Sequence, residues 1–156
     1  MRTIVNAEFQ ATIELFPGYM RELLRYPPVS ANELKNIPKQ GIYIFYEDDK
    51  PIYVGRSRNL SKRFKQHSQQ SSDHNSATFA FKIAKQDAAK EKVEIKKTRE
   101  ILQVDPDFLP FFNKAKKRVS EMKIQVIDIE NAVEQTLFEV YAALELKTPY
   151  NDWRTH

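Results

Sequence analysis

Two runs of β-branched and aromatic residues, GIYIFYE (41–47) and PIYVG (51–55), flank the short polar connector Asp48-Asp49-Lys50. That pattern fixes a β-hairpin more firmly than anything else in the chain fixes its fold. Of only three glycines, two (Gly41 and Gly55) lie here, each close to a tyrosine, and the third, Gly18, lies upstream. Strand alternation puts Tyr43 on the same pleat face as Phe45 and opposite Ile42 and Ile44. Tyr53 likewise lies opposite Ile52 and Val54. Paired strands therefore bring two phenols to one face. Gly55 is expected to end the second strand, turn the chain sharply and admit a ligand close to the backbone.

Helices are expected around the hairpin. FQATIELF and MRELLRY carry apolar residues at helical spacing, broken near Pro17-Gly18 and at Pro27-Pro28. SANE (30–33) has capping-box spacing and predicts a short helix before Pro38. Asn59 is placed to cap a helix over LSKRFKQHS, on which Arg63 and His67, four apart, share a face. SATFAFKIAKQDAAKEK is helical in character, and Asp105-Pro106 reads as a cap and first-turn start for DPDFLPFFNKAKKRVSEM. MKIQVIDI alternates as a third strand. Asn131 and Glu134 then open a long helix whose face Val133, Leu137, Val140, Leu144 is spaced for burial. The fold class is α/β (α+β): a small antiparallel three-stranded sheet flanked by helices, in one domain over 1–156. Its parts are a helical N-terminal extension (1–40), a core (41–67 and 122–153) and a helical insertion (68–121).

Composition narrows the chemistry. At 156 residues the chain is long enough for one core. It has no cysteine, hence no disulfide and no thiolate metal site, which fits a reducing cytoplasm. No apolar run is long enough to span a bilayer, and the N-terminus is expected to carry no signal peptide. Net charge is +4 with a pI near 9.2. The cations cluster: Arg56, Arg58, Lys62, Arg63 and Lys65 fall between residues 56 and 67 with no acid among them. Lys114, Lys116, Lys117 and Arg118 form a second group. Two basic faces suit a phosphate backbone, or they are two solvated helix faces.

GIY at 41–43, YVG at 53–55, the basic RSRNLSKR that follows, and Glu139 ahead of Pro149, Tyr150 and Asn151 together resemble the GIY-YIG nuclease superfamily. That superfamily includes homing endonucleases, some restriction enzymes and the incision subunit of bacterial nucleotide excision repair. The resemblance covers 41–67 and 134–151. It implies a GIY-YIG-like core and a metal-dependent endonuclease that hydrolyses DNA phosphodiester bonds.

The resemblance also implies roles. Tyr43 is the candidate general base, and Tyr53 shares its site by a hydrogen bond to substrate or water. Arg63 contacts the scissile phosphate, its planar fork matching phosphate oxygens. Arg56 stands where the family often has lysine, a departure that tells against proton acceptance and leaves two roles, holding a phosphate or depressing a nearby phenol's pKa. His67 is a candidate proton relay. Glu139 is the metal ligand, for one Mg²⁺ or Mn²⁺ that keeps several waters. Gly41, Gly55 and Asn151 support the site, Asn151 by fixing the turn after the metal helix. By charge, and outside what the resemblance explains for the second group, Arg58, Lys62, Lys116 and Lys117 are candidate DNA contacts; Phe108, Phe111 and Phe112 anchor the helix of Lys116 and Lys117, with its cations exposed. No role is read for His74 or His156.

Each residue also has a plainer reading: strand aromatics, a solvated helix acid, surface arginines, a surface histidine. Two other functions compete with the nuclease. One is a non-catalytic nucleic-acid-binding module that keeps the fold. The other is a protein-interaction domain whose basic faces meet an acidic partner.

Overall fold

The computed structural model describes residues 6–153. The first five residues of the expected helical extension, and His156, lie outside that range. In chain order the elements are α1 (Ala7–Glu14), α2 (Phe16–Leu23), β1 (Val29–Ser30), β2 (Gly41–Glu47), β3 (Lys50–Ser57) and α3 (Leu60–Ser68). There follow α4 (Thr78–Lys90), α5 (Arg99–Leu102), α6 (Leu109–Ser120), β4 (Lys123–Asp128) and α7 (Ala132–Leu146). They group into two compact units, residues 1–60 with 123–156, and residues 61–122. No helix among the described residues is long and apolar enough to cross a membrane.

The first unit holds an antiparallel sheet ordered β1-β4-β2-β3. The expected three strands are present, and the two-residue β1 adds a fourth at the far edge. The hairpin closes through Asp48 and Asp49, whose φ values of 49° and 61° match a two-residue primed turn. Aspartate tolerates that left-handed backbone better than most residues. A bulge between Phe45 and Tyr46 shifts the later register. Ile42, Ile44 and Val54 form the core of this unit with Phe138, Ala142 and Ala143 of α7 and Phe16 and Leu23 of α2. Phe16 packs edge-on to Phe138 at 5.5 Å and against Tyr141 at 5.3 Å, and the Tyr19 hydroxyl donates to Glu134 Oε2 at 2.7 Å.

The second unit is helical. Phe81 of α4 meets Phe108 and Phe112 at 5.2 and 5.4 Å, and Ala84, Leu102, Ala115 and Val119 are buried.

Four local expectations change. Pro17 and Gly18 do not break the helix; Pro17 lies in the first turn of α2, where its missing N–H costs nothing, and the break falls at Leu15. The SANE pattern makes a turn, not a helix: Glu33 Oε2 accepts from Ser30 N at 3.0 Å, and Glu33 N donates back to Ser30 O. Asp105 likewise organises a turn, accepting from Asp107 N while its carbonyl accepts from Leu109 N. So α6 starts three residues later than expected, at Leu109, with Pro110 in its first turn. In α7 the buried residues are Gln135, Phe138, Ala142 and Ala143, while Val133 and Leu144 are exposed. Apolar residues surround that helix, so spacing alone does not select its inner face; the two alanines let its backbone approach the sheet closely.

Candidate active site

Tyr43 pairs directly with Gly55 across the hairpin, and Phe45 pairs with Tyr53. The three rings form one cluster: Tyr43 to Phe45 at 5.5 Å, Tyr43 to Tyr53 at 6.4 Å, and Phe45 stacked on Tyr53 at 6.4 Å. The Tyr43 ring lies across Gly55. A Cβ there would stand 2.3 Å from both Cζ and the hydroxyl oxygen of Tyr43. Gly55 therefore does not end β3, which continues to Ser57; the glycine makes room for a phenol instead of a turn. Gly41 meets a different demand. Its φ is +143°, and a Cβ would come within 1.9 Å of the Ile127 carbonyl oxygen. Tyr43 is 1% exposed and Tyr53 half-buried, so of the two phenols Tyr53 is the more open.

One residue beyond Gly55, Arg56 turns to the other face of the hairpin, where α7 packs. There Arg56 Nε pairs with Glu139 Oε2 at 3.1 Å, with Arg56 43% and Glu139 18% exposed at the side chain. Burial pushes the Glu139 carboxyl up from its usual range, and the Arg56 guanidinium opposes that shift with less effect. Just past α7, Asn151 acts as a mock strand against the edge of β3. Its Oδ1 accepts from Val54 N at 2.7 Å, its Nδ2 donates to Val54 O at 2.8 Å, and the Thr148 hydroxyl donates to its Oδ1. So Asn151 grips β3 between Tyr53 and Gly55, one residue from each. Tyr19, Thr148 and the bulge are supports that sequence reading missed. No local motif marks Tyr19, whose partner is 115 residues away, and Thr148 matters only through Asn151, whose own partners on β3 are 97 residues away.

The remaining expected residues belong to the other unit, Arg58 excepted, which is exposed just after β3. Arg63 is part-buried, and its fork donates to Thr78 Oγ1 at 2.8 Å and the Ser76 carbonyl at 3.3 Å. His67 is not on the surface; it is fully buried, edge-on to Phe79 at 6.3 Å. Burial, with the Arg63 charge adding in the same direction, holds His67 neutral well below the usual imidazole range. Lys62 and Lys117 are exposed. Lys116 is a correction to the expected exposed cation. It is 3% exposed, its Nζ lies 4.4 Å over the Phe112 ring, and it donates to the carbonyls of Gln70 at 2.5 Å and Ser72 at 3.1 Å. Burial lowers its ammonium from the usual lysine value. It falls on the buried stripe of α6 with Phe112 and Val119, so helical spacing takes it inward.

Among the described residues no group of three or more carboxylate and imidazole side chains is placed to cage a metal ion. A lone carboxylate such as Glu139 instead suits a hard cation that retains most of its waters and draws its other ligands from substrate.

Residues 39–105 match the family model for the GIY-YIG catalytic domain. The chain is also 46% identical over 37 residues to UvrABC system protein C of Aquifex aeolicus (strain VF5); that stretch is 23% of this chain and 6% of the relative. No solved structure matches the chain. The mixed α/β fold with its antiparallel sheet agrees with the match, and residues 39–105 of this chain are similar to the GIY-YIG catalytic domain, which is found in nucleases.

Proposed function

We propose that the protein is a metal-dependent endonuclease that hydrolyses DNA phosphodiester bonds. The observation that carries this reading is the build of β3: Tyr53, Gly55 under the Tyr43 phenol, and Arg56 paired with Glu139 follow one another along an edge strand.

Glu139 would hold one Mg²⁺ or Mn²⁺, which when bound would neutralise phosphate charge and assist the leaving oxygen. Arg56 partly offsets the burial that favours the neutral form of Glu139. Tyr43 would take the proton of the attacking water, with Tyr53 orienting that water by hydrogen bond. Arg63 would hold the scissile phosphate; its fork is already fixed by Ser76 and Thr78, so little ordering remains for substrate to impose. His67, buried and held neutral, is left out of the proton path. Asn151 and Gly41 hold the strands. Arg58, Lys62 and Lys117 would contact the DNA backbone. In this reading 41–67 and 122–153 form the catalytic core, 1–40 a helical extension and 68–121 a helical elaboration, in a cytoplasmic setting.

Two observations favour a second reading, a non-catalytic nucleic-acid-binding module. The Glu139 carboxylate already has an arginine partner, and the Tyr43 phenol lies beneath the surface. Incubation of supercoiled plasmid with the protein in Mg²⁺ or Mn²⁺, against EDTA, separates the two. Nicking that EDTA stops is the expected result; binding without nicking at any divalent concentration supports the module.

A further inference from the structure

The outer face of α3 carries Lys62, Lys65 and Gln66, and Gln69, just past its end, continues the spacing i, i+3, i+4, i+7 as one polar stripe. Opposite it, the loop after α3 presents Ser71, Ser72 and Ser76. Stripe and loop enclose a recess of about 390 Å³ whose one acid is Asp73. Two cations therefore stand against one carboxylate, among hydroxyls and amides that donate hydrogen bonds. The carboxylate is engaged elsewhere: its Oδ1 accepts from the backbone N–H of Asn75 at 3.0 Å and of Ser76 at 2.8 Å.

The loop is held before any ligand arrives. Lys116 ties down the carbonyls on either side of Ser71, and His74 is bound through its backbone N–H and ring Nδ1 to Gln103 Oε1 at 3.2 and 2.9 Å. Arg63 grips the Ser76 carbonyl. A buried lysine spent on two carbonyls of a polar surface loop has no packing rationale that a methionine would not serve as well. Fixing the loop gives it one, since a pre-ordered site loses less entropy on binding.

We propose that this recess binds a phosphate of a nucleic-acid strand, as a contact separate from the hairpin residues and blind to base sequence. Cationic and neutral donors in one shallow recess match the two free oxygens of a phosphodiester, and backbone contacts of this kind position a strand without reading it. The proposal rests on the reading of the protein as one that acts on DNA.

The test measures binding of the full chain to a 20-base-pair duplex in EDTA over a salt series, for the wild type, Lys62→Gln/Lys65→Gln, and Lys90→Gln/Lys92→Gln. The last pair removes the same charge from exposed positions remote in sequence from the recess lining. Thermal melting first establishes that all three fold. The expected result is a fall of up to about two in the slope of log K against log salt for Lys62→Gln/Lys65→Gln alone, equal for duplexes of different sequence. Gln69→Ala/Ser71→Ala should lower affinity roughly tenfold with the slope unchanged, as expected for lost hydrogen bonds to a charged group. An unchanged slope in Lys62→Gln/Lys65→Gln, or an equal fall in the control pair, overturns the proposal; if the wild type still nicks plasmid, the nuclease reading stands. A wild type that neither binds duplex nor nicks overturns both. Stabilisation by inorganic phosphate at matched ionic strength that the Lys62→Gln/Lys65→Gln variant loses would assign the recess to a free anion and overturn the strand contact.

Discussion

At the scale of single residues, the hairpin glycine is defined by what lies on it. Tyr43 fills the space that a side chain at 55 would take. Gly55→Ala should cost about 1–3 kcal/mol by forcing the ring aside. In a Tyr43→Ala background the same change should cost far less, and a double-mutant cycle of melting free energies measures that coupling. Additive effects would mean that the glycine answers to the backbone alone. Glu139 makes a second residue-scale prediction. Its carboxyl is raised by burial, so the folded state favours the protonated form. That contribution is complete below the unfolded carboxyl pKa and is lost as pH rises through the folded one. Glu139→Gln should therefore melt no lower than wild type at pH 7, and the difference should shrink on acidification through the carboxylate range. A variant markedly less stable at pH 7 would make Glu139 a structural ion-pair partner. Two residues show where sequence reading erred. Lys116 and His67 were read by charge and chemistry, yet each continues a buried stripe, Phe112-Lys116-Val119 and Leu60-Phe64-His67. Period outranked residue type at both positions.

At the scale of elements, the hairpin was legible because a period of two, a short polar connector and two glycines all agree. The third strand and the long helix were legible for similar reasons, and the Asn131 cap is made as its spacing implied, to Val133 N and Glu134 N. The inner face of α7 was not legible, since Val133, Leu137, Val140 and Leu144 compete with Phe138, Ala142 and Ala143 at equal periodicity. What decides is a partner distant in sequence: the aromatic end of α2, where Phe16 meets Phe138 and Tyr141. Helix α2 is thus part of the first unit's core and braces the helix that carries Glu139. Phe16→Ala should destabilise the protein by about 3–5 kcal/mol, read from chemical denaturation. A loss below about 1 kcal/mol would show that the N-terminal helices are a detachable addition.

At the scale of the whole molecule, the chain builds two cores. One is the sheet with α2 and α7, the other the phenylalanine cluster of α4 and α6. Sequence reading reached the first through its motifs, and the family match at 39–105 begins at that hairpin. The second offered no motif, only helical periodicity and two groups of cations, and what its loop does with Lys116 depends on contacts 44 and 46 residues apart. The central claim is that Glu139, next to the phenol hairpin, holds the ion that cleavage needs. Single-turnover nicking of plasmid at saturating protein and matched Mg²⁺, wild type against Glu139→Gln, tests it most directly. Duplex binding in EDTA should be retained. The rate should fall by at least about a hundredfold, a direct ligand mattering no less than the outer groups that orient one. Cleavage by Glu139→Gln at the wild-type rate would contradict the account.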